Sequence, residues 1–156
     1  MNIFILLLIF LPSIFSSSEG VAGPVFVGGS HTVNFDYDGA RNSTGIQREL
    51  HSGGGVQYFH FCTKDGKNKD KCGAWVDEKG KKIAGANNNV KRVAKGGQIS
   101  KMQTKDSGRY SRYPSDPDAN IAYLQSLNVY VQEIPPHLKE DFATSTTTTE
   151  APFLGY

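Results

Sequence analysis

The stretch MQTKDSGRYSR, residues 102–112, decides which fold the sequence predicts. Asp106, Gly108 and Tyr110 occupy alternate positions after the apolar Met102. This spacing is typical of a corner at which one β-strand ends and another begins. The stretch therefore predicts the junction of two strands, with further strands expected on either side of it.

Several short segments around this corner have the two-residue alternation of β-strands. HTVNFDY (31–37) and VQYFHFC (56–62) lie before it, and Leu127, Val129 and Val131 share one face after it. Clusters of Gly, Pro and Asn separate these segments, and no helical stripe of useful length occurs. Short strands with frequent turns indicate an all-β sandwich or barrel.

The corner belongs to a longer ordered set of residues. Cys62 is followed thirteen residues later by Trp75, the only tryptophan, and then by Ile99 and Met102 ahead of the corner. This set resembles an immunoglobulin-like domain, nearest to the intermediate (I-set) type, over residues 42–133. The resemblance implies an antiparallel β-sandwich with Cys62 on strand B and Trp75 on strand C.

In that fold the shared residues have folding roles. The resemblance implies that Trp75 fills the space between the two sheets. It also implies that Tyr110 buries its ring and bonds its hydroxyl to the backbone a few residues upstream. Gly108 would allow close passage of the chain, and Asp106 would accept hydrogen bonds with Arg92 as a basic neighbour. These roles imply neither catalysis nor recognition.

The chain departs from the family at Arg112, where the second inter-sheet cysteine is expected. A guanidinium does not stay unpaired in a dry core, because burying a lone charge is too costly. Either Arg112 points outward through a local shift, or its head reaches water past the end of the sandwich. In both cases the inter-sheet disulfide of the family is absent.

Two cysteines, Cys62 and Cys72, permit one intramolecular disulfide, which an even count in an exported chain favours. It would close the loop TKDGKNKDK (63–71) between strands B and C of the implied fold, and two free thiols are the alternative.

Phe59 and Phe61 are the more apolar face of their strand, which favours them inside and Cys62 outside. The reverse facing is the alternative, because a one-residue slip exchanges the whole face.

The two ends differ in composition from the centre. Residues 1–18 carry an apolar run too short to span a bilayer and are predicted to be a cleaved signal peptide, with an uncleaved anchor as the alternative. Residues 19–41 form an N-terminal segment with a candidate first strand, and residues 134–156 are predicted to be a disordered Pro/Thr-rich tail. Asn42 begins an N-glycosylation acceptor pattern, with a chance match as the alternative. We expect a secreted, extracellular protein with no membrane span after cleavage.

Positive charge is concentrated between residues 61 and 105, where twelve Lys or Arg and four Asp or Glu give a net charge of +8. The whole chain carries only +2, so the remainder is acidic on balance. One interpretation is a set of solvated loops that keep strand edges from pairing. The other is a contact surface for sulfated glycans. The lysines expected in that contact are Lys64, Lys67, Lys69, Lys71, Lys79, Lys81 and Lys82.

Enzyme signatures are missing: the sequence has no H-E-x-x-H pair, no G-x-S-x-G elbow and no P-loop. We therefore predict no catalytic, cofactor or metal site.

A single secreted sandwich is expected to bind a cell-surface or matrix protein, with sulfated-glycan binding as the alternative and self-pairing at a sheet edge as a third interpretation. Nucleic acid is a poor candidate partner outside the cell. The most distinctive candidate surface is SRYPSDPDANIAY (111–123), a long connection with Tyr113 and Tyr123.

Overall fold

The structure is a computed structural model, and it describes four stretches of the chain: residues 23–35, 42–66, 68–136 and 138–139. Short strands dominate these stretches and helix is scarce, which confirms the all-β class. The predicted signal peptide at 1–18 and the tail beyond residue 139 lie outside the described residues.

The strands are short, as expected for segments that frequent turns separate. In chain order they are β1 (Val25–Phe26), β2 (His31–Asn34), β3 (Gly45–Leu50), β4 (Val56–His60), β5 (Trp75–Val76), β6 (Val90–Val93), β7 (Gly96–Ile99), β8 (Gly108–Tyr113), β9 (Leu127–Val129) and β10 (Val131–Gln132). A 3₁₀ turn (Thr104–Asp106) precedes β8, and a six-residue helix, α1 (Ala119–Leu124), joins β8 to β9.

The described strands form two main sheets and one small one. The larger sheet has the order β5-β4-β3-β8-β9, and the smaller main sheet has the order β2-β7-β6. All pairs within these sheets are antiparallel. The first and last strands, β1 and β10, pair in parallel. The strands predicted around residues 31–37 and 56–62 and at the Leu127 alternation are confirmed.

The two main sheets pack face to face around one apolar core. Val33 and Ile99 of the smaller sheet cluster with Ile46 and Phe59 of the larger one. Val25 joins the same cluster. Residues on the N-terminal side of position 42 therefore contribute two strands and part of the core to the folded unit.

The alternation of burial along the larger sheet separates a core face from an outer face. In β3, Ile46 and Arg48 are buried, whereas Glu49 is exposed. In β4, Phe59 is buried, and Phe61 just beyond that strand is buried too. Cys62 is exposed, so the facing with the phenylalanines inside is confirmed.

The two sheets approach each other closely at Gly97 of β7. A Cβ at this position would lie 2.4 Å from Ile46 Cδ1 and 2.8 Å from Phe61 Cζ. Both of these atoms belong to buried side chains that have little space into which to move. The absence of a side chain at Gly97 therefore sets the spacing between the layers at this point.

Gly97→Ala is expected to destabilise the protein by about 1–3 kcal/mol, because an extra methyl overpacks a dense core. The measurement is the free energy of unfolding in urea. Gly23→Ala is the control, since a Cβ there would meet nothing within 4 Å. An equal effect of the two substitutions would show that the inter-sheet spacing at Gly97 is not limiting.

No helix among the described residues has the length and apolar character needed to cross a membrane.

Candidate binding surfaces

The corner at residues 106–110 is built from backbone contacts. The Tyr110 hydroxyl donates a hydrogen bond to the carbonyl oxygen of Asp106, and the ring is fully buried. Burial raises the pKa of Tyr110 to about 12. A Cβ at Gly108 would lie 2.5 Å from the carbonyl oxygen of Glu49, so the chain passes too close to β3 for any side chain. These contacts give Tyr110 and Gly108 the geometry that the resemblance implies.

The basic neighbour of Asp106 is Arg48, and the expectation of Arg92 is wrong. Arg48 Nη1 lies 3.4 Å from Asp106 Oδ1, and both side chains are only 1% exposed. Arg48 also donates from Nε to Gln57 Oε1 at 2.9 Å. The guanidinium carbon of Arg92 instead lies 5.6 Å from the ring centroid of Phe61. Arg48 was missed because it is 58 residues away in sequence and lies at the centre of a strand.

Trp75 lies beside the buried pair formed by Arg48 and Asp106. The Arg48 guanidinium carbon lies 3.9 Å from the Trp75 ring centroid. The indole N–H donates to the carbonyl oxygen of Asn87 at 2.9 Å, and the ring of Phe59 packs 5.5 Å away. Trp75 is therefore fully buried with its one polar atom satisfied.

Arg112 lies on the core face, but its charge is held at the end of the sheets. It pairs across the strands with Ile46, whose side chain is fully buried. Its Nη1 donates to the carbonyl oxygen of Pro114 at 2.7 Å, and its Nη2 lies 3.4 Å from Asp116 Oδ2. Arg112 is only 6% exposed, so both expected alternatives, a side chain that points outward and a head that reaches water, are wrong. A carbonyl and a carboxylate meet the guanidinium instead.

The disulfide between Cys62 and Cys72 is confirmed, with the two Cα atoms 5.0 Å apart. Its loop joins β4 to β5, which are neighbours in one sheet. The loop was expected to connect strands B and C of the implied fold. Instead, the disulfide closes a connection between two neighbouring strands at the edge of one sheet. Inside the loop, Asn68 accepts from the backbone N–H of Thr63 at 2.9 Å and donates to the carbonyl oxygen of Phe61 at 2.7 Å.

Removing this disulfide is expected to lower stability by about 2–3 kcal/mol, because the nine-residue loop 63–71 regains its chain entropy in the unfolded state. The measurement compares urea unfolding of the oxidised protein with that of the Cys62→Ala/Cys72→Ala variant. An unchanged unfolding midpoint would contradict the expectation. Far-UV circular dichroism checks that the variant keeps its sheets.

The described lysines among those expected to contact glycans lie on the connections on either side of β5, the edge strand of the larger sheet. Lys67 is outside the described residues, and the other six are exposed. Lys82 pairs with Val76 of β5, and Asp77 accepts from the backbone N–H of Lys79 and of Lys81. The contact of Arg92 with Phe61 brings the edge strand β6 to the same side. We call this side of the molecule the basic edge.

A second surface lies on the connection between β8 and β9, where helix α1 was not expected. Asp118 caps the helix and accepts from the backbone N–H of Asn120 at 2.8 Å. Ile121 is 43% exposed, Tyr123 is 41% exposed and Leu124 is 77% exposed. The cap followed by A-N-I-A-Y-L is a local signal that could have predicted the helix.

A cleft of about 360 Å³ separates α1 from the outer face of the larger sheet. Arg109 of β8 lies in its wall, with the guanidinium carbon 4.4 Å from the ring centroid of Tyr123. The polar side chains that line it include Gln47, Glu49, Arg109, Ser111, Asp116 and Ser126. Of the stretch 111–123, singled out for its tyrosines, the first three residues end β8 and the last five belong to α1, which lies over the sheet.

A third surface is an aromatic cluster at the other end of the outer face, formed by Tyr58, His60 and Tyr113. The His60 and Tyr113 rings are perpendicular with centroids 5.1 Å apart, and Tyr58 lies 5.1 Å from Tyr113. Gly45 of β3 stands in register between His60 and Tyr113. Because Gly45 carries no side chain, the rings meet above it. Sequence reasoning missed this cluster, since its members come from two strands 53 residues apart.

Among the residues that the structure describes, no three His, Cys, Asp or Glu side chains converge as metal ligands would. Asn42, the predicted glycosylation acceptor, is exposed just before β3. No protein-family model matches this chain, and no curated protein matches it either.

Proposed function

We propose that this chain is an extracellular binding module with an immunoglobulin-like fold, which engages a cell-surface or matrix protein through α1. The observation that carries the proposal is the exposure of Ile121, Tyr123 and Leu124 on one short helix. Neighbouring large apolar side chains on a protein surface commonly mark an interaction site.

The strand order supports the immunoglobulin-like fold, although in a different form from the I-set alignment. Variable-type domains extend the sheet of strands G, F and C by two further strands, opposite strands B, E and D. The sheets β9-β8-β3-β4-β5 and β2-β7-β6 follow this order. On this assignment strand B is β2, and Trp75 lies on an added edge strand. The corner at residues 106–110 remains at the start of strand F.

Export is part of the proposal and rests on the disulfide, since such bonds persist in oxidising compartments. The apolar run within residues 1–18 supplies the signal peptide, and the exposed Asn42 carries a glycan. N-terminal sequencing of protein from the culture medium of expressing cells tests this. A chain retained in the cells with its initial residues intact would contradict it.

The matching partner surface is apolar at its centre, because it must cover Ile121 and Leu124. Arg109, stacked on Tyr123, stands beside these residues as a polar contact at the rim. Interfaces of this form concentrate their energy in a few aromatic and Arg side chains. A rigid helix held by the Asp118 cap limits the entropy lost on binding.

The test measures binding of the tetramerised protein to an array of cell-surface and matrix ectodomains. Ile121→Glu/Leu124→Glu is expected to weaken the saturable interaction at least about tenfold. Thr32→Glu/Gln132→Glu is the control, since it adds the same two charges at exposed positions in other strands. Equal losses in both variants, or no saturable binding by the wild-type protein, would overturn the proposal.

Sulfated-glycan binding is a second candidate function, and the stapled loop of the basic edge favours it. Lys64, Lys69 and Lys71 are exposed on a loop that the disulfide and Asn68 hold in place. A fixed array of lysines attracts a polyanion at a smaller ordering cost than a mobile loop would.

Heparin-resin elution in a salt gradient tests this second function. The wild-type protein is expected to elute above about 0.15 M salt, and Lys64→Gln/Lys69→Gln is expected to elute earlier. Thr32→Glu/Gln132→Glu changes the net charge by the same amount away from the loop and is the control. Elution of the wild-type protein at or below about 0.15 M would count strongly against glycan binding.

A further inference from the structure

The aromatic cluster and the stapled loop form one continuous surface. The backbone N–H of Gly73, at the end of the loop, donates to the carbonyl oxygen of His60 at 3.1 Å. Lys71 directly precedes the disulfide-bonded Cys72, and its charge acts on His60. Tyr58, His60 and Tyr113 are each half-buried and keep part of their rings accessible on the outer face.

This arrangement combines two kinds of contact that a charged sugar needs. Aromatic faces pack against the C–H groups of a pyranose ring, and an ammonium or imidazolium pairs with a sulfate oxygen. Lysines alone would attract any polyanion equally. Rings next to the lysines add a preference for a polyanion that carries sugar rings.

We infer that Tyr58, His60 and Tyr113, together with Lys71, form a subsite for one sulfated sugar residue. The sugar ring packs on the tyrosines, and its sulfate pairs with Lys71 and His60. The inference rests on the second candidate function, glycan binding at the basic edge. It deepens that function by naming a sugar contact that the lysines do not provide.

Protonation of His60 gives this subsite a pH signature. Burial and the charge of Lys71 lower the pKa of His60 below its ordinary value of 6.5. Tyr113 faces His60 from β8, Tyr58 lies on its own strand, and Glu78 influences Tyr58 from beyond β5. A bound sulfate stabilises the imidazolium and raises that pKa. Affinity therefore rises as the pH falls from the pKa of His60 in the bound form towards its lower pKa in the free form.

The experiment compares two polyanions of matched charge: a heparin octasaccharide and inorganic polyphosphate. Tyr58→Ala and Tyr113→Leu are expected to weaken octasaccharide binding by about five- to thirty-fold and to leave polyphosphate binding within about twofold. Lys64→Gln/Lys69→Gln is expected to weaken the binding of both. Urea unfolding of each variant establishes that it is folded.

Tyr130→Ala is the matched control. Tyr130 is 44% exposed and stacks on His51 with centroids 4.8 Å apart, so it is a second His–Tyr pair at the other end of β3. A strand of this length separates the two pairs by about 17–20 Å. The control is expected to change neither affinity.

The outcomes separate the inference from the function on which it rests. If the aromatic variants weaken both polyanions equally, or neither, the subsite is wrong while lysine-dependent glycan binding stands. If the wild-type protein binds neither polyanion, glycan binding itself fails and the subsite with it. NMR titration gives an independent readout: the octasaccharide is expected to raise the pKa of His60. An unchanged pKa of His60 would overturn the subsite.

Discussion

Asp106→Ala is expected to lower the free energy of unfolding by about 3–5 kcal/mol, because it leaves the buried guanidinium of Arg48 without its carboxylate. Both side chains of this pair are only 1% exposed, so water cannot take the place of the lost partner. The substitution also removes the acceptor for the backbone N–H of Gln103, which lies 2.9 Å from Asp106 Oδ2. Urea unfolding at constant pH measures the loss.

Two controls separate the buried charge from the loss of packing. Asp116→Ala removes a carboxylate whose side chain is 22% exposed, and it is expected to cost less. Arg48→Met/Asp106→Leu removes both charges and is expected to recover much of the loss, because no lone charge then remains in the core. A loss below about 1 kcal/mol for Asp106→Ala would contradict the assignment of this pair as a buried structural element.

Trp75→Ala is expected to cost about 3–5 kcal/mol, the usual range for removing a large aromatic side chain from a core. Three contacts disappear together: the carbonyl oxygen of Asn87 loses its donor, the ring of Phe59 loses its edge partner, and Arg48 loses the π face beneath it. Domains of this size have a total stability of only about 5–15 kcal/mol. A large fraction of the variant is therefore expected to be unfolded at 37 °C.

Trp75→Phe is the matched comparison, since it keeps an aromatic ring and removes the N–H and part of the volume. We expect its effect to be smaller than that of Trp75→Ala, with Tyr130→Ala nearly neutral because that ring is 44% exposed. Urea unfolding followed by circular dichroism gives the values for all variants. An equal and small effect of Trp75→Ala and Tyr130→Ala would place the indole outside the core.

Features set by residues close together in the sequence could be predicted, whereas contacts between distant residues could not. The alternation in VQYFHFC, with Phe59 and Phe61 inside, is a property of seven consecutive residues and was predicted. The disulfide was predicted because two cysteines allow one pairing. The neighbour of Asp106 was predicted as Arg92 and is Arg48, because Arg48 lies 58 residues away in sequence and only the strand pairing brings it to the corner.

The sequence by itself indicated the strand segments at 31–37, 56–62 and 127–131, favoured Phe59 and Phe61 as the inner face, and favoured the pairing of the two cysteines. Each of these follows from residues near one another in the chain or from a count. Only the tertiary structure decided that β4 and β5 share a sheet with β8, that Arg48 lies on Trp75, and that His60 meets Tyr113 above Gly45. Such contacts depend on how strands are ordered in space, and many orders satisfy the same local alternation.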